Sequence, residues 1–161
     1  MKSLLPEPLA GFVPPPITAV RTGRPVAYVT PFRMPTNAYI EMQKALAEEC
    51  GFEPRPLSLR HLLLEGGLWG LMQRRNVVIA QWIEMRAFRW RGARTRLSLR
   101  GLLLFAFYLG LLKLSRAGVV YVVHDHAVHD TAGFARHVSS RLIGLCRRVA
   151  DHRVVHDPTA T

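Results

Sequence analysis

Residues 118–130 read GVVYVVHDHAVHD, a valine-rich uncharged run followed within seven positions by three histidines and two aspartates. An apolar run without polar alternation is the pattern of a strand covered on both faces, as strands of a parallel sheet are. The reading therefore places a strand at Gly118–His124 with a polar cluster directly beyond it. Outward from this stretch, VAYVT (26–30, ended by Pro31), NVVIAQW (76–82) and HRVVH (152–156) repeat the pattern. Glu53–Leu57 is a weaker strand whose prolines confine it to a sheet edge.

Helical patterns separate these runs. Tyr39, Met42, Ala45, Leu46 and Cys50 recur at helical spacing opposite Glu41, Lys44 and Glu48, with Thr36 or Asn37 able to cap the start and Gly51 the stop. Leu59–Gln73 is Leu-rich and weakened by three glycines, and a long helix is expected over Thr95–Arg116. Phe134, Val138, Leu142, Leu145 and Val149 mark a further stripe. Strands alternating with helices predict an α/β fold: one Rossmann-like parallel sheet with right-handed crossovers and helices on both faces. It is expected to occupy residues 26–161, behind an extended Pro-rich leader at 1–25 that lacks the continuous apolar core of a signal peptide.

A chain of 161 residues with 49% hydrophobic content can bury one core but not two large ones, and its composition excludes collagen, coiled coil and disorder. The formal charge of +11 favours anionic partners such as phosphates, nucleic acid or an acidic membrane. Cys50 and Cys146 form no CxxC or Cys/His spacing and read as buried free thiols, which suits a reducing cytoplasm. The uncharged run GLLLFAFYLGLL (101–112) is shorter than the roughly 20 residues a membrane span needs. It reads as a buried crossover helix, because a strand follows closely; an interfacial helix with basic flanks is the alternative.

The cluster His124, Asp125, His126, His129 and Asp130 lies where a strand ends, the end at which open parallel sheets bind ligands. Its chemistry fits four roles: a metal site, a His general base backed by a carboxylate, a polar loop that holds an acceptor, or a cap for the next helix. The loop PFRMPTN offers Arg33, Thr36 and Asn37 beside a helix start suited to an anion or a sugar hydroxyl. In QWIE, Trp82 can stack on a sugar ring and Glu84 accept from its hydroxyl, although a buried Trp and a solvated Glu serve equally. No GxGxxG, GxxxxGK[ST] or GxSxG motif is present, which argues against NAD enzymes, nucleotide triphosphatases and hydrolases. The stretch RAFRWRGARTRLSLR carries Arg86, Arg89, Arg91, Arg94, Arg96 and Arg100 around Phe88 and Trp90. Its chemistry suits an anionic membrane or a lipid phosphate, with Phe88 and Trp90 at the interface, or a solvated basic face. No RNP-like, KH or helix-turn-helix signature supports nucleic acid.

The pair NVVIAQWIE (76–84) and GVVYVVHDHAVHD (118–130), separated by a long helix, resembles the N-terminal, acceptor-side half of GT-B glycosyltransferases of the exopolysaccharide and lipopolysaccharide type. In that family a strand ending in His/Gln-Trp and then Pro-Glu or similar precedes a strand of the form VxWTVHNxxPHE. Trp82 and Glu84 match the first motif. His124, His129 and Asp130 match the second, with Asp125 standing for Asn and Asp130 for Glu. VAYVTPFRMPTNAYIEMQKALAEECGF is similar to the family's first strand, acceptor-side loop and helix, so the resemblance spans about Val26–Asp157.

What this resemblance implies is transfer of a sugar from a nucleotide-sugar donor to a lipid-linked or saccharide acceptor, without a metal, at the cytoplasmic face of the inner membrane. His124 and Asp130 take the catalytic positions, and Arg33, Asn37, Trp82, Glu84, Asp125 and His129 the acceptor site. Arg86, Arg89, Arg91, Arg94 and Arg96 face phosphate or membrane. The family's donor-binding domain has no counterpart in residues 1–161 and is expected as a separate partner.

Overall fold

The computed structural model describes residues 23–34, 37–91, 94–123, 131 and 133–155. The leader as far as residue 22, Thr36 and the whole 124–130 cluster lie outside these residues. So does the close of the last expected strand at His156.

Strands β1 (Val26–Thr30), β2 (Glu53–Pro56), β3 (Val77–Gln81), β6 (Gly118–Val123) and β7 (His152–Val155) form one parallel sheet in the order β2-β1-β3-β6-β7. The Rossmann-like α/β reading therefore holds. The Pro-bearing strand β2 takes an edge, where a missing amide donor costs least. Asn76 ties the strand starts together: its Oδ1 accepts from Val26 N at 2.8 Å and its Nδ2 donates to Gly70 O at 2.8 Å.

The two faces of the sheet are covered unequally. Tyr28, Val78, Ala80, Val119, Tyr121 and Val123 point into the main core beneath helices α2 (Leu59–Leu64), α3 (Gly67–Leu71), α4 (Leu99–Leu114) and α5 (Gly133–Val149). Ala27, Val29 and Val122 face the other way, where the only helix among the described residues is α1 (Ala38–Glu49). Beside α1 runs an apolar groove of about 240 Å³ over Val77, Ile79, Val120 and Val154.

Several elements differ from the sequence expectations. Helix α1 starts as expected, with Asn37 Oδ1 accepting from Tyr39 N at 3.0 Å. Its buried residues, however, are Ile40, Gln43 and Ala47, while Met42 and Leu46 are exposed. Gln43 is buried because its Oε1 accepts from Gln81 Nε2 at 2.7 Å, a pairing that hydropathy cannot reveal. Cys50, expected to be buried, is exposed at the end of α1; Cys146 is buried as expected. The single helix over 59–73 is broken in two by Gly66, whose φ of +74° is left-handed and leaves the helical path.

The long helix begins at Leu99 rather than Thr95, capped by Ser98 Oγ accepting from Gly101 N. The residues before it form an antiparallel hairpin of β4 (Phe88–Arg91) and β5 (Arg94–Leu97). Phe88 and Thr95 are buried in the hairpin, with Arg89 and Arg96 exposed, an alternation of period two obscured by the arginines. In α5 Leu142 is in the core and Val138 and Val149 pack against it as expected, but Ser139, Ile143 and Cys146 share the buried face while Phe134 and Leu145 are exposed.

Burial pushes the hydroxyls of Tyr28, Tyr108 and Tyr121 above their ordinary 10.0, and the Cys146 thiol above 9.0. These acids keep their protons in the folded state while the unfolded chain releases them. Their contribution to stability is full below about pH 9 and lost as pH rises beyond it. Urea unfolding should accordingly show a lower midpoint at about pH 10.5 than at about pH 8. An unchanged midpoint would contradict the burial of these groups.

Candidate functional site

At the carboxyl ends of β1 and β3 a cleft of about 370 Å³ opens between Thr30, Arg33, Gln81, Trp82, Met85 and Arg86. Three of the residues singled out from sequence, Arg33, Trp82 and Arg86, thus come together. Arg33 is exposed at the rim. Arg86, expected on an outer basic face, is instead drawn inward. Its Nη2 donates to Thr30 Oγ1 at 3.0 Å, and its guanidinium carbon lies 4.1 Å from the centre of the Tyr108 ring. A guanidinium held by a hydroxyl and an aromatic face is already ordered when an anion arrives, so little side-chain entropy remains to be lost on binding.

Trp82 has a φ of +50°, the one non-glycine residue in the left-handed region among those described. β3 ends here and a 3-10 turn, Ile83–Ala87, begins, with Met85 N donating to Trp82 O at 3.0 Å. Holding a bulky residue in this conformation costs on the order of 1–2 kcal/mol, which the surrounding packing must offset. The result sets Trp82 in the lining of the cleft, half-buried.

Glu84 does not line the cleft. The same turn carries it into the core, where it is 5% exposed and its Oε2 accepts from the Tyr121 hydroxyl at 2.8 Å. Burial, and then the adjacent Glu84 carboxylate, keep Tyr121 protonated far into the alkaline range, so the hydroxyl remains a donor to Glu84. Asn37 is likewise engaged, since its side-chain oxygen caps α1. Phe88, expected at an interface, is in the core.

Of the basic residues, Arg89 and Arg96 stand opposite each other across the β4–β5 hairpin, both exposed, and Arg91 pairs in register with Arg94. His124, Asp125, His129 and Asp130 lie outside the described residues; Val123, which precedes them, ends β6 beside β3. Among the described residues no group of three or more His, Cys, Asp or Glu side chains could hold a metal ion.

Sequence reasoning missed Thr30, Tyr108 and Met85. Tyr108 sits 22 positions from Arg86 inside an apolar helix, and no local pattern signals their contact. It also missed a cavity of about 530 Å³ at the opposite, amino end of the sheet, lined in part by Tyr28, Arg55, Trp69 and Arg75. Near it His61 Nδ1 lies 2.9 Å from Glu65 Oε2.

The fold and cleft define a Rossmann-like α/β domain with a mainly apolar cleft at the strand ends that Arg33 and Arg86 make basic. Comparison with known protein families, curated proteins and solved structures finds no match to this chain.

Proposed function

We propose that this chain is the acceptor-side domain of a GT-B glycosyltransferase that moves a sugar from a nucleotide-sugar to a lipid-linked or saccharide acceptor in cell-surface polysaccharide synthesis. The observation that carries the reading is the register of β3 against β6, in which Gln81 is the partner of Val122. The strands that lead into the two stretches resembling the family, QWIE and HDHAVHD, therefore end side by side, at the edge where parallel sheets bind ligands.

In this reading Trp82 stacks on the acceptor sugar and Arg86, with Arg33 at the rim, meets an acceptor phosphate. His124 removes the proton from the acceptor hydroxyl as its oxygen bonds to the anomeric carbon and the nucleoside diphosphate departs. Asp130 supports that base, and Asp125 and His129 contact the acceptor. The donor is held by a second domain. Glu84 and Asn37 act on the site only through the core and the helix cap.

The test is transfer by the two-domain enzyme containing this chain, with His124→Ala. Loss of proton abstraction lowers turnover by about 100-fold or more at unchanged acceptor binding. Unchanged turnover removes the base assignment. The second reading is a peripheral module on the cytoplasmic face of the inner membrane without catalysis, favoured by the exposed Arg89–Arg96 pair. Like charges directly opposite across a hairpin are destabilising unless an anion lies against them.

A further inference from the structure

Helix α4 has a solvent face that neither the core nor the cleft uses. Gly101, Phe105, Tyr108 and Leu112 pack inward. Leu99, Leu103, Phe107 and Leu114 point outward, 76%, 66%, 42% and 73% exposed. Steps of four, four and seven residues put them on one stripe. Ala106, also exposed, and half-buried Gly110 fill the stripe between them, so that no polar side chain interrupts it. An apolar strip along a 16-residue helix, about 24 Å long, is unusual on a soluble surface and marks a contact site.

The charges around the strip identify what it meets. From Met85 to His124 the chain has no Asp or Glu, but seven Arg and one Lys. Arg100 is exposed in the first turn of α4, Lys113 in the last, and Arg116 just beyond. The hairpin that leads into the helix adds exposed Arg89 and Arg96. An apolar protein groove would accept the strip but gives no reason for the basic, acid-free run of chain that carries it. A leaflet of anionic lipid accounts for both, because acyl chains take the strip while headgroup phosphates neutralise the border and relieve the Arg89–Arg96 repulsion. The helix is too short to cross the hydrocarbon core, and no helix among the described residues is long and apolar enough to do so.

We propose that the outer face of α4 is a membrane-insertion face: the helix lies in the plane of an anionic leaflet, with Leu99, Leu103, Phe107 and Leu114 in the acyl boundary and Arg89, Arg96, Arg100 and Lys113 at the headgroups. The inserting element is thus α4, the interfacial alternative that its sequence offers, while Phe88, also expected at the interface, is buried in the core. The inference stands whether or not the cleft transfers sugar.

The test is flotation of the full chain with vesicles of phosphatidylcholine alone or mixed with phosphatidylglycerol, at low and high salt. The wild-type chain floats with the mixed vesicles and partitions at least about tenfold less into the neutral ones. Leu103→Asp and Phe107→Asp, both at exposed positions and checked for unchanged circular dichroism, each lower partition into mixed vesicles by about tenfold or more at low salt. Arg96→Glu with Arg100→Glu lowers it in a salt-dependent manner.

No flotation with either vesicle overturns the proposal. Binding that resists Leu103→Asp and Phe107→Asp but vanishes at high salt overturns insertion in favour of simple adsorption. Failure to float, combined with a solution mass twice the 18.2 kDa chain that Leu103→Asp returns to one, assigns the strip to a second copy instead.

Discussion

Gly101→Ala should destabilise the domain by about 3 kcal/mol and lower its melting temperature by roughly 10 °C. A methyl group at this position would lie 2.5 Å from the carbonyl oxygen of Arg86 and 2.8 Å from that of Ala87. Both are backbone atoms of the turn that carries Arg86 into the cleft, so neither can swing aside as a side chain would. α4 must move away from the turn or the turn must give, and in either case Arg86 leaves Thr30 and the Tyr108 ring. Gly110→Ala in the same helix is the control. Nothing lies within 4 Å of its added carbon, and removing a helical glycine stabilises by about 0.5–1 kcal/mol. Thermal melts of the two variants should therefore shift in opposite directions. A Gly101→Ala protein as stable as wild type would mean that α4 does not lie against the turn.

Tyr121→Phe should cost about 2–3 kcal/mol although it removes a single oxygen. The hydroxyl donates to a carboxylate that is 5% exposed, and the carboxylate loses that donor without gaining water. Urea unfolding of Tyr121→Phe, Glu84→Gln and the double variant measures the coupling. The double variant should lose less than the sum of the singles, by about 1–2 kcal/mol, because a neutral amide needs the hydroxyl less than a carboxylate does. Additive losses would show that the two side chains do not act together.

The parallel sheet was legible because its strands are continuous apolar runs, and continuity needs no partner to be read. VAYVT and GVVYVV announce themselves for this reason. Arg33 and Trp82 came into view because they lie next to strand ends, and Arg86 only as one of a basic stretch read as a membrane or solvent face. Glu84 did not, since a carboxylate two residues past a strand reads as solvent-facing until the left-handed backbone at Trp82 turns it inward toward Tyr121. The hairpin was hidden by composition: arginine on one side of a short strand and Phe or Thr on the other give too weak an alternation to compete with the helical run that follows. Helix faces proved the hardest to place. In α1 the buried Gln43 depends on an amide partner 38 residues away, and in α5 the buried face takes in Ser139, which hydropathy alone would leave in solvent.

The unequal covering of the sheet has a bearing on how the domain comes apart. On one side four helices share a single cluster, so none can leave without opening cavities against the others. On the other side α1 buries Ile40, Gln43 and Ala47, with an open groove along its flank. Its detachment breaks that small contact set, the Gln81–Gln43 amide bond and the Lys44–Phe32 contacts, short of the cost of global unfolding. The chain thus has a natural order of dissolution, in which α1 lifts first while β3 and β6, packed beneath α4 and α5, hold their hydrogen bonds to the end. Gln81, whose amide holds Gln43 of α1, also lines the cleft, and that first opening would loosen the floor of the site before it disturbs the core.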